Sequence, residues 1–181
     1  MLLGEVFKNI NKKYKNIYFK NIRFNSKECK PNDIFFAIQG NNFDGNKYIY
    51  DAINNGAKII VSGSKLQRSN KKKVLFIYNK NPRKMLSYIS SQFYKLKPNN
   101  IIAVTGTNGK TSIANFYHQI MSLNNKKVAS IGTLGVLSKK FNLKTNNTTI
   151  DPVNIHKILQ RLKKLGVDNV IIEASSHGLK Q

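Results

Sequence analysis

The stretch Ala103-Val104-Thr105-Gly106-Thr107-Asn108-Gly109-Lys110-Thr111 joins an apolar run, Ile101 to Val104, to a helical pattern that opens with Lys110 and Thr111. A β-branched run, a glycine-bearing turn and a helix start are the ingredients of a phosphate-binding loop. Glycines let backbone N–H groups converge on an anion, and the helix N-terminus adds the positive end of its dipole. Lys110 is placed to reach terminal phosphates, and the Thr111 hydroxyl to ligate a phosphate-bound Mg²⁺. The common G-x-x-x-x-G-K-[ST] pattern is incomplete, since Val104 stands at its first glycine, so Gly106 and Asn108 make the turn. Further on, Glu173 ends the apolar run Val170 to Ile172, where a carboxylate needs a partner and a bridging cation is a good one. Ser175, Ser176 and His177 follow it, a weak signal by themselves. His118 is expected on the inner side of the helix after the loop and His156 on a helix surface; neither is assigned a role.

These groups need a scaffold, and the chain supplies an alternation of apolar runs and helical patterns. Leu2 to Ile10 has apolar residues at helical spacing, and Ile17 to Phe24 alternates as a strand or hairpin does. Asp33 to Ile38 reads as a buried strand, Gln39 to Gly45 as a turn-rich loop, and Lys47 to Asn54 as a helix stopped at Gly56. Strands at Lys58 to Val61 and Val74 to Tyr78 and a helix from Pro82 to about Tyr94 complete a first α/β domain, residues 1–97. Lys97 to Asn100 is the expected linker. In residues 98–181 the order is strand, phosphate loop, helix (Ser112 to Leu123), strand (Val128 to Ile131), and a glycine-punctuated loop through Gly132 and Gly135. Phe141 to Thr149 is expected to be irregular. A helix N-capped by Asp151 and closed at Gly166 then leads to a strand from Asn169 to Ala174. Strands alternating with helices imply a parallel sheet, with ligands at the carboxyl ends of its strands.

Composition removes several function classes. No run of about 18 uncharged apolar residues is present, so no membrane span is expected, and the first residues do not read as a signal peptide. Cys29 is the only cysteine, which excludes an internal disulfide and a cysteine-based zinc site and fits a reducing cytoplasmic setting. The net charge of +23 admits a nucleic-acid partner. The lysines, however, are spread along the whole chain and arginine is scarce, which speaks against specific recognition while leaving non-specific association at low salt.

Three segments carry a family resemblance: Thr105 to Thr111; Asn147-Thr148-Thr149-Ile150-Asp151-Pro152; and Glu173-Ala174-Ser175-Ser176-His177-Gly178-Leu179. Together they resemble the ATP-dependent Mur ligases, and among these the branch that adds the third peptide residue to a UDP-N-acetylmuramoyl-dipeptide. Asn32 to Gly40 with Phe43-Asp44-Gly45 resembles the uridine-nucleotide-binding domain of the same family. The implied architecture is a small N-terminal α/β uridine-nucleotide domain followed by the first part of a P-loop-type, parallel-sheet ATP-binding domain.

The resemblance implies that Gly106, Thr107, Asn108, Gly109, Lys110, Thr111 and Ser112 bind ATP, and that Thr111 and Glu173 are Mg²⁺ ligands. Lys110 and Glu173 become the catalytic pair. Ser26, Asn41, Asn42, Phe43, Asn147, Thr148, Thr149, Ser175 and Gln181 become substrate-binding residues. The implied reaction passes through an acyl phosphate and joins meso-diaminopimelate or L-lysine to the D-glutamyl carboxylate. Where the family reads Asp-Ser-Arg this chain has Asn25-Ser26-Lys27, so an Asp–Arg pairing is expected to be missing at that corner; Ile150 replaces a usual proline. The family's carboxylated lysine, its histidine metal ligand and its amino-acid-selecting domain fall after Gln181, so the chain is expected to be a fragment unable to complete catalysis alone. Three alternatives stay open: another Mur-type or folylpolyglutamate ligase, a basic nucleic-acid-associated P-loop protein, and a non-catalytic binding fragment that holds the nucleotide sugar without turnover.

Overall fold

The computed structural model describes residues 1–40, 43–64, 74–145 and 150–175. The chain divides into two compact units, Met1–Phe93 and Tyr94–Gln181.

In the first unit four parallel strands lie side by side in chain order: β1 (Ile22–Arg23), β2 (Ile34–Ala37), β3 (Ile59–Ser62) and β4 (Leu75–Tyr78). Every residue of β2 and β3 is buried, which is why these segments are continuous apolar runs rather than alternating ones. Successive side chains point to opposite faces. Phe35, Ala37 and Ile60 pack with Ile49, Ala52 and Ile53 of α2 (Ile49–Asn54). On the chain after β4, α3 (Pro82–Phe93) buries Leu86 and Ile89 and packs on β2. A 3₁₀ turn, Gly45–Tyr48, precedes α2 and is capped by Asp44, whose carboxylate accepts the Asn46 N–H at 2.9 Å. Gly56, at φ +108°, turns the chain after α2 where a Cβ would meet the Pro31 nitrogen at 2.7 Å.

The N-terminal helix is shorter than its periodicity predicts: α1 is Leu3–Val6 alone. The first residues are drawn into pairing with residues 15–19 instead. Leu3 and Gly4 donate to the carbonyls of Ile17 and Lys15, Leu2 bridges Tyr18, and Phe19 N–H donates to Met1 O. The same pairing breaks up the strand expected over Ile17 to Phe24, leaving a bridge at Tyr18 and the two residues of β1.

The second unit carries β5 (Asn100–Val104), α4 (Lys110–Leu123), β6 (Val128–Gly132), β7 (Gly135–Ser138), α5 (Pro152–Lys164) and β8 (Asn169–Glu173). Its strand order is β5-β8-β6-β7, with β8 inserted parallel between β5 and β6 and β7 antiparallel to β6. β7 replaces the loop expected around Gly135: Thr133 and Leu134 form a two-residue turn, and Gly135 at φ +90° brings the chain back along β6. α5 begins where the sequence places it, with Asp151 Oδ1 accepting the N–H groups of Val153 (3.0 Å) and Asn154 (2.9 Å), and Gly166 closes it at φ +78°. Its Ile158, Leu159 and Leu162 pack with Ala129, Ile131, Val136, Val167 and Val170. α4, which packs on β6 and β8, buries only Ala114. Among the described residues no helix is long and apolar enough to cross a membrane.

Candidate functional site

The loop 105–109 leaves the carboxyl end of β5 as an exposed turn and enters α4. Gly106 lies at φ +150° and Gly109 at φ +78°, a left-handed conformation at the residue that precedes the helix. No atom stands within 4 Å of a Cβ built on Gly109, so glycine is required there by backbone angle rather than by crowding. The N–H groups of the first turn of α4 have no partner within the helix, a ready anion site. The Lys110 ammonium lies over the loop, donating to the carbonyls of Gly106 at 2.5 Å and Thr107 at 3.1 Å. The backbone thus puts a positive side chain and helix-start N–H groups on one short exposed turn.

Glu173 stands beside it on β8, paired in register with Val104, the last residue of β5. It is 2% exposed. One carboxylate oxygen, Oε2, accepts the hydroxyls of Thr111 at 2.8 Å and Thr133 at 3.0 Å; Oε1 accepts the Thr133 N–H at 3.2 Å. A carboxylate and a threonine hydroxyl in contact next to a phosphate loop are a hard-oxygen set suited to Mg²⁺ held jointly with nucleotide phosphates. Among the described residues no cluster of three His, Cys, Asp or Glu side chains is present, so the fit is to a shared site and not to a closed protein cage.

Lys110, Thr111 and Glu173 therefore converge as the sequence suggests. Ser112 is exposed in the first turn of α4, and Ser175 is half-buried two residues beyond Glu173. Sequence reasoning missed Thr133 and Gly132. The register Ile131↔Ile172 carries Gly132 next to Glu173, and a Cβ there would overlap the carboxylate. A glycine followed by threonine after an apolar run was visible, but its meaning depends on β6 and β8 being neighbours. His118 and His156 are both half-buried, His156 more so than a surface position implies, and burial lowers the pKa of each; Lys97 lowers that of His156 further.

In the first unit Ser26 is buried at the start of a 3₁₀ turn, Ser26–Glu28. Its carbonyl accepts the N–H of Cys29 at 3.1 Å and the side-chain amide of Asn55 at 3.0 Å. Asn25 caps this turn through the Lys27 N–H at 3.1 Å. The charge pairing expected to be missing here is supplied by another residue: Arg23 Nε donates to Asp33 Oδ2 at 3.1 Å and Nη1 to Glu28 Oε2 at 3.2 Å. Asp33, fully buried, also accepts from the Asn21 side chain at 2.9 Å and the Lys30 N–H at 3.1 Å. The Cys29 thiol beside this cluster is pushed up to about 12 by burial, with Asp33 adding to the shift. Phe43 is exposed and stacks on Tyr48, ring centroids 4.8 Å apart. Asn41, Asn42, Asn147, Thr148, Thr149 and Gln181, like Ser176 and His177, lie outside the described residues.

Residues 18–94 match the Mur ligase family catalytic domain and residues 104–181 the Mur ligase middle domain. The UDP-N-acetylmuramoyl-L-alanyl-D-glutamate–2,6-diaminopimelate ligase of Rickettsia montanensis is 39% identical over 180 residues, covering 96% of this chain and 36% of that protein. The protein of the same name from Rhizobium meliloti (strain 1021) is 41% identical over 160 residues, covering 88% of this chain and 32% of its own length. The chain thus spans about a third of the length of the curated relatives it matches. A solved structure of a UDP-N-acetylmuramoyl-L-alanyl-D-glutamate–2,6-diaminopimelate ligase superposes with a TM-score of 0.79 at 26% identity, over 99% of this chain and 37% of that one. MurF ligase from Thermotoga maritima, solved in complex with ADP, shares the fold at a TM-score of 0.56 and 21% identity, over 90% of this chain and 33% of that one. With two matched domains drawn from one family, in the same order as the two compact units of the fold, the chain belongs to the Mur ligases.

Proposed function

We propose that these 181 residues form the nucleotide-sugar-binding and ATP-binding part of a ligase that adds the third residue to UDP-N-acetylmuramoyl-L-alanyl-D-glutamate. The observation that carries the proposal is the Thr111–Glu173 contact at 2.8 Å beside the Lys110 loop. It supports a site for nucleotide phosphates with a shared cation, and the names of the relatives supply the acceptor. Those names, which specify 2,6-diaminopimelate, also favour a diaminopimelate over L-lysine as the incoming amino acid.

In this reading Gly106 to Ser112 wrap the β- and γ-phosphates of ATP with backbone N–H groups, and Lys110 places its charge on the transferring phosphoryl group. Thr111 and Glu173 would hold Mg²⁺, which when bound would neutralise charge on the phosphates. The D-glutamyl carboxylate attacks the γ-phosphorus and ADP leaves. The acyl phosphate so formed is attacked by the amino group of the diamino acid, with loss of phosphate. Ser26, Asn41, Asn42 and Phe43 hold the uridine end, and Asn147, Thr148, Thr149, Ser175 and Gln181 the muramoyl-dipeptide. Because the relatives extend well beyond the match, the activity assigned to these residues alone is binding of both substrates.

Calorimetric titration of the chain at physiological salt tests this. One-to-one binding of UDP-N-acetylmuramoyl-L-alanyl-D-glutamate, weakened by Ser26→Ala, and Mg²⁺-dependent binding of ATP, weakened about tenfold or more by Lys110→Ala, are expected. A folded chain that binds neither ligand, or a Lys110→Ala variant that binds Mg²⁺-ATP like the parent, overturns the proposal. A basic nucleic-acid protein would instead bind oligonucleotide with an affinity that falls steeply as salt rises.

A further inference from the structure

We propose that Thr133, in the β6–β7 turn, is a positioning residue that fixes the orientation of the Glu173 carboxylate toward Thr111. The inference rests on the reading of the phosphate loop as an ATP and Mg²⁺ site and adds a residue that neither the loop motif nor the family segments include.

Thr133 grips both carboxylate oxygens: its N–H donates to Oε1 at 3.2 Å and its hydroxyl to Oε2 at 3.0 Å. Two donors from one residue set the plane of the carboxylate, whereas the single donor from Thr111, at 2.8 Å, leaves it free to rotate. The Thr133 side chain is itself exposed, so packing is not what it supplies. The turn that presents it is fixed from both sides. Gly132 pairs with Gly135 across the hairpin, and Gly132 alone lets the chain pass the carboxylate, because any Cβ at that position would overlap Glu173. Gly135 is held at φ +90° with its Cα facing the Leu143 carbonyl, where Val136 and Leu143 exchange backbone hydrogen bonds at 2.7 and 2.9 Å.

The consequence is chemical. The Thr111 hydroxyl donates its hydrogen bond to Glu173, so a fixed carboxylate fixes the direction in which the hydroxyl's lone pairs face a cation. Thr133 therefore acts on cation binding through Glu173, as outer partners of a metal ligand do.

The test uses the full chain and its Thr133→Val, Thr133→Ala and Thr133→Ser variants. The dissociation constant for ATP is measured by calorimetry in Mg²⁺ and again in EDTA, with Mn²⁺ binding to the ATP complex followed by electron paramagnetic resonance. In the parent, Mg²⁺ is expected to tighten ATP binding. Valine and alanine should reduce that gain by about tenfold and loosen Mn²⁺ similarly, leaving the affinity in EDTA within about twofold, while serine restores the parent values. Equal losses in Mg²⁺ and EDTA, an unchanged valine variant, or unfolding of both valine and alanine variants beside a stable serine variant would each assign the hydroxyl no positioning role and overturn the proposal. If the parent itself shows no gain from Mg²⁺, the reading of the site fails first, and this inference with it.

Discussion

The two sheets are alike in having four strands, all parallel in the first and with β7 alone antiparallel in the second, yet they are covered differently. In the first unit β2 and β3 are wholly buried, and α2 and α3 both pack on β2. In the second, β6 is wholly buried and β8 largely so, but β5, the strand that delivers the phosphate loop, is almost entirely exposed and, among the described residues, pairs with β8 alone. Ile101 and Ile102 are 41% and 42% exposed, and along α4 Ile113, Phe116, Ile120 and Leu123 stand open, Leu123 at 82%. Among the described residues the second sheet is packed chiefly on its α5 side, whereas β2 and β3 of the first are buried along their whole length.

The largest expected effects probe whether the α5 face equals the first unit. Ile60→Ala, between β2 and β4, and Leu162→Ala, fully buried on α5, should each cost about 2–5 kcal/mol in urea denaturation followed by circular dichroism. A Leu162→Ala cost well below that of Ile60→Ala would mean that the second sheet is loosely packed on both faces. Next comes Gly132→Ala, which forces a methyl group into the Glu173 carboxylate and should destabilise by about 1–3 kcal/mol while abolishing the Mg²⁺ dependence of ATP binding. Normal Mg²⁺ dependence in that variant would detach β6 from the site.

A smaller effect should separate the units by pH. All three histidines fall in the second unit, and burial lowers the pKa of His118 and His156. The unfolded chain then binds more protons than the folded one below about pH 6.5, so the stability these residues contribute is full above that value and is lost as pH falls through their lowered folded values. The urea midpoint of the second unit should drop between pH 7 and 5, less so in His156→Gln; an equal drop in the first unit, which has no histidine, would refute the assignment. The smallest effect belongs to the open face: Leu123→Gln should change stability by less than about 0.5 kcal/mol. A larger loss would mean that α4 is better packed than its exposure indicates.

Most of this scaffold was readable from residue order. Continuous apolar runs gave β2, β3 and β8; Asp151 with Pro152 gave the start of α5; and Gly56 and Gly166 gave two helix ends, because each is a local constraint on backbone angles or capping. The phosphate loop and Glu173 were readable because both terminate apolar strands. What escaped depends on partners distant in sequence. α1 is cut short by residues 15–19, which take the N–H groups of Leu3 and Gly4. β7 looked like a loop because its turn glycines outweighed Val136 and Leu137. Thr133 gains meaning only once β8 inserts beside β6, and Arg23 replaces a missing ion pair because Asp33 is brought next to it by β1–β2 register.

The edge of β5 opposite β8, unpaired among the described residues, has a colloidal consequence for this 181-residue chain. An exposed strand with isoleucines at its centre is a template on which another copy can add a strand. The net charge of +23 opposes that approach, and its reach shrinks from about 30 Å at 0.01 M salt to about 8 Å at 0.15 M. Self-association of the chain, followed by light scattering, should therefore rise with added salt, the inverse of the salt response that its lysine content would bring to a complex with nucleic acid.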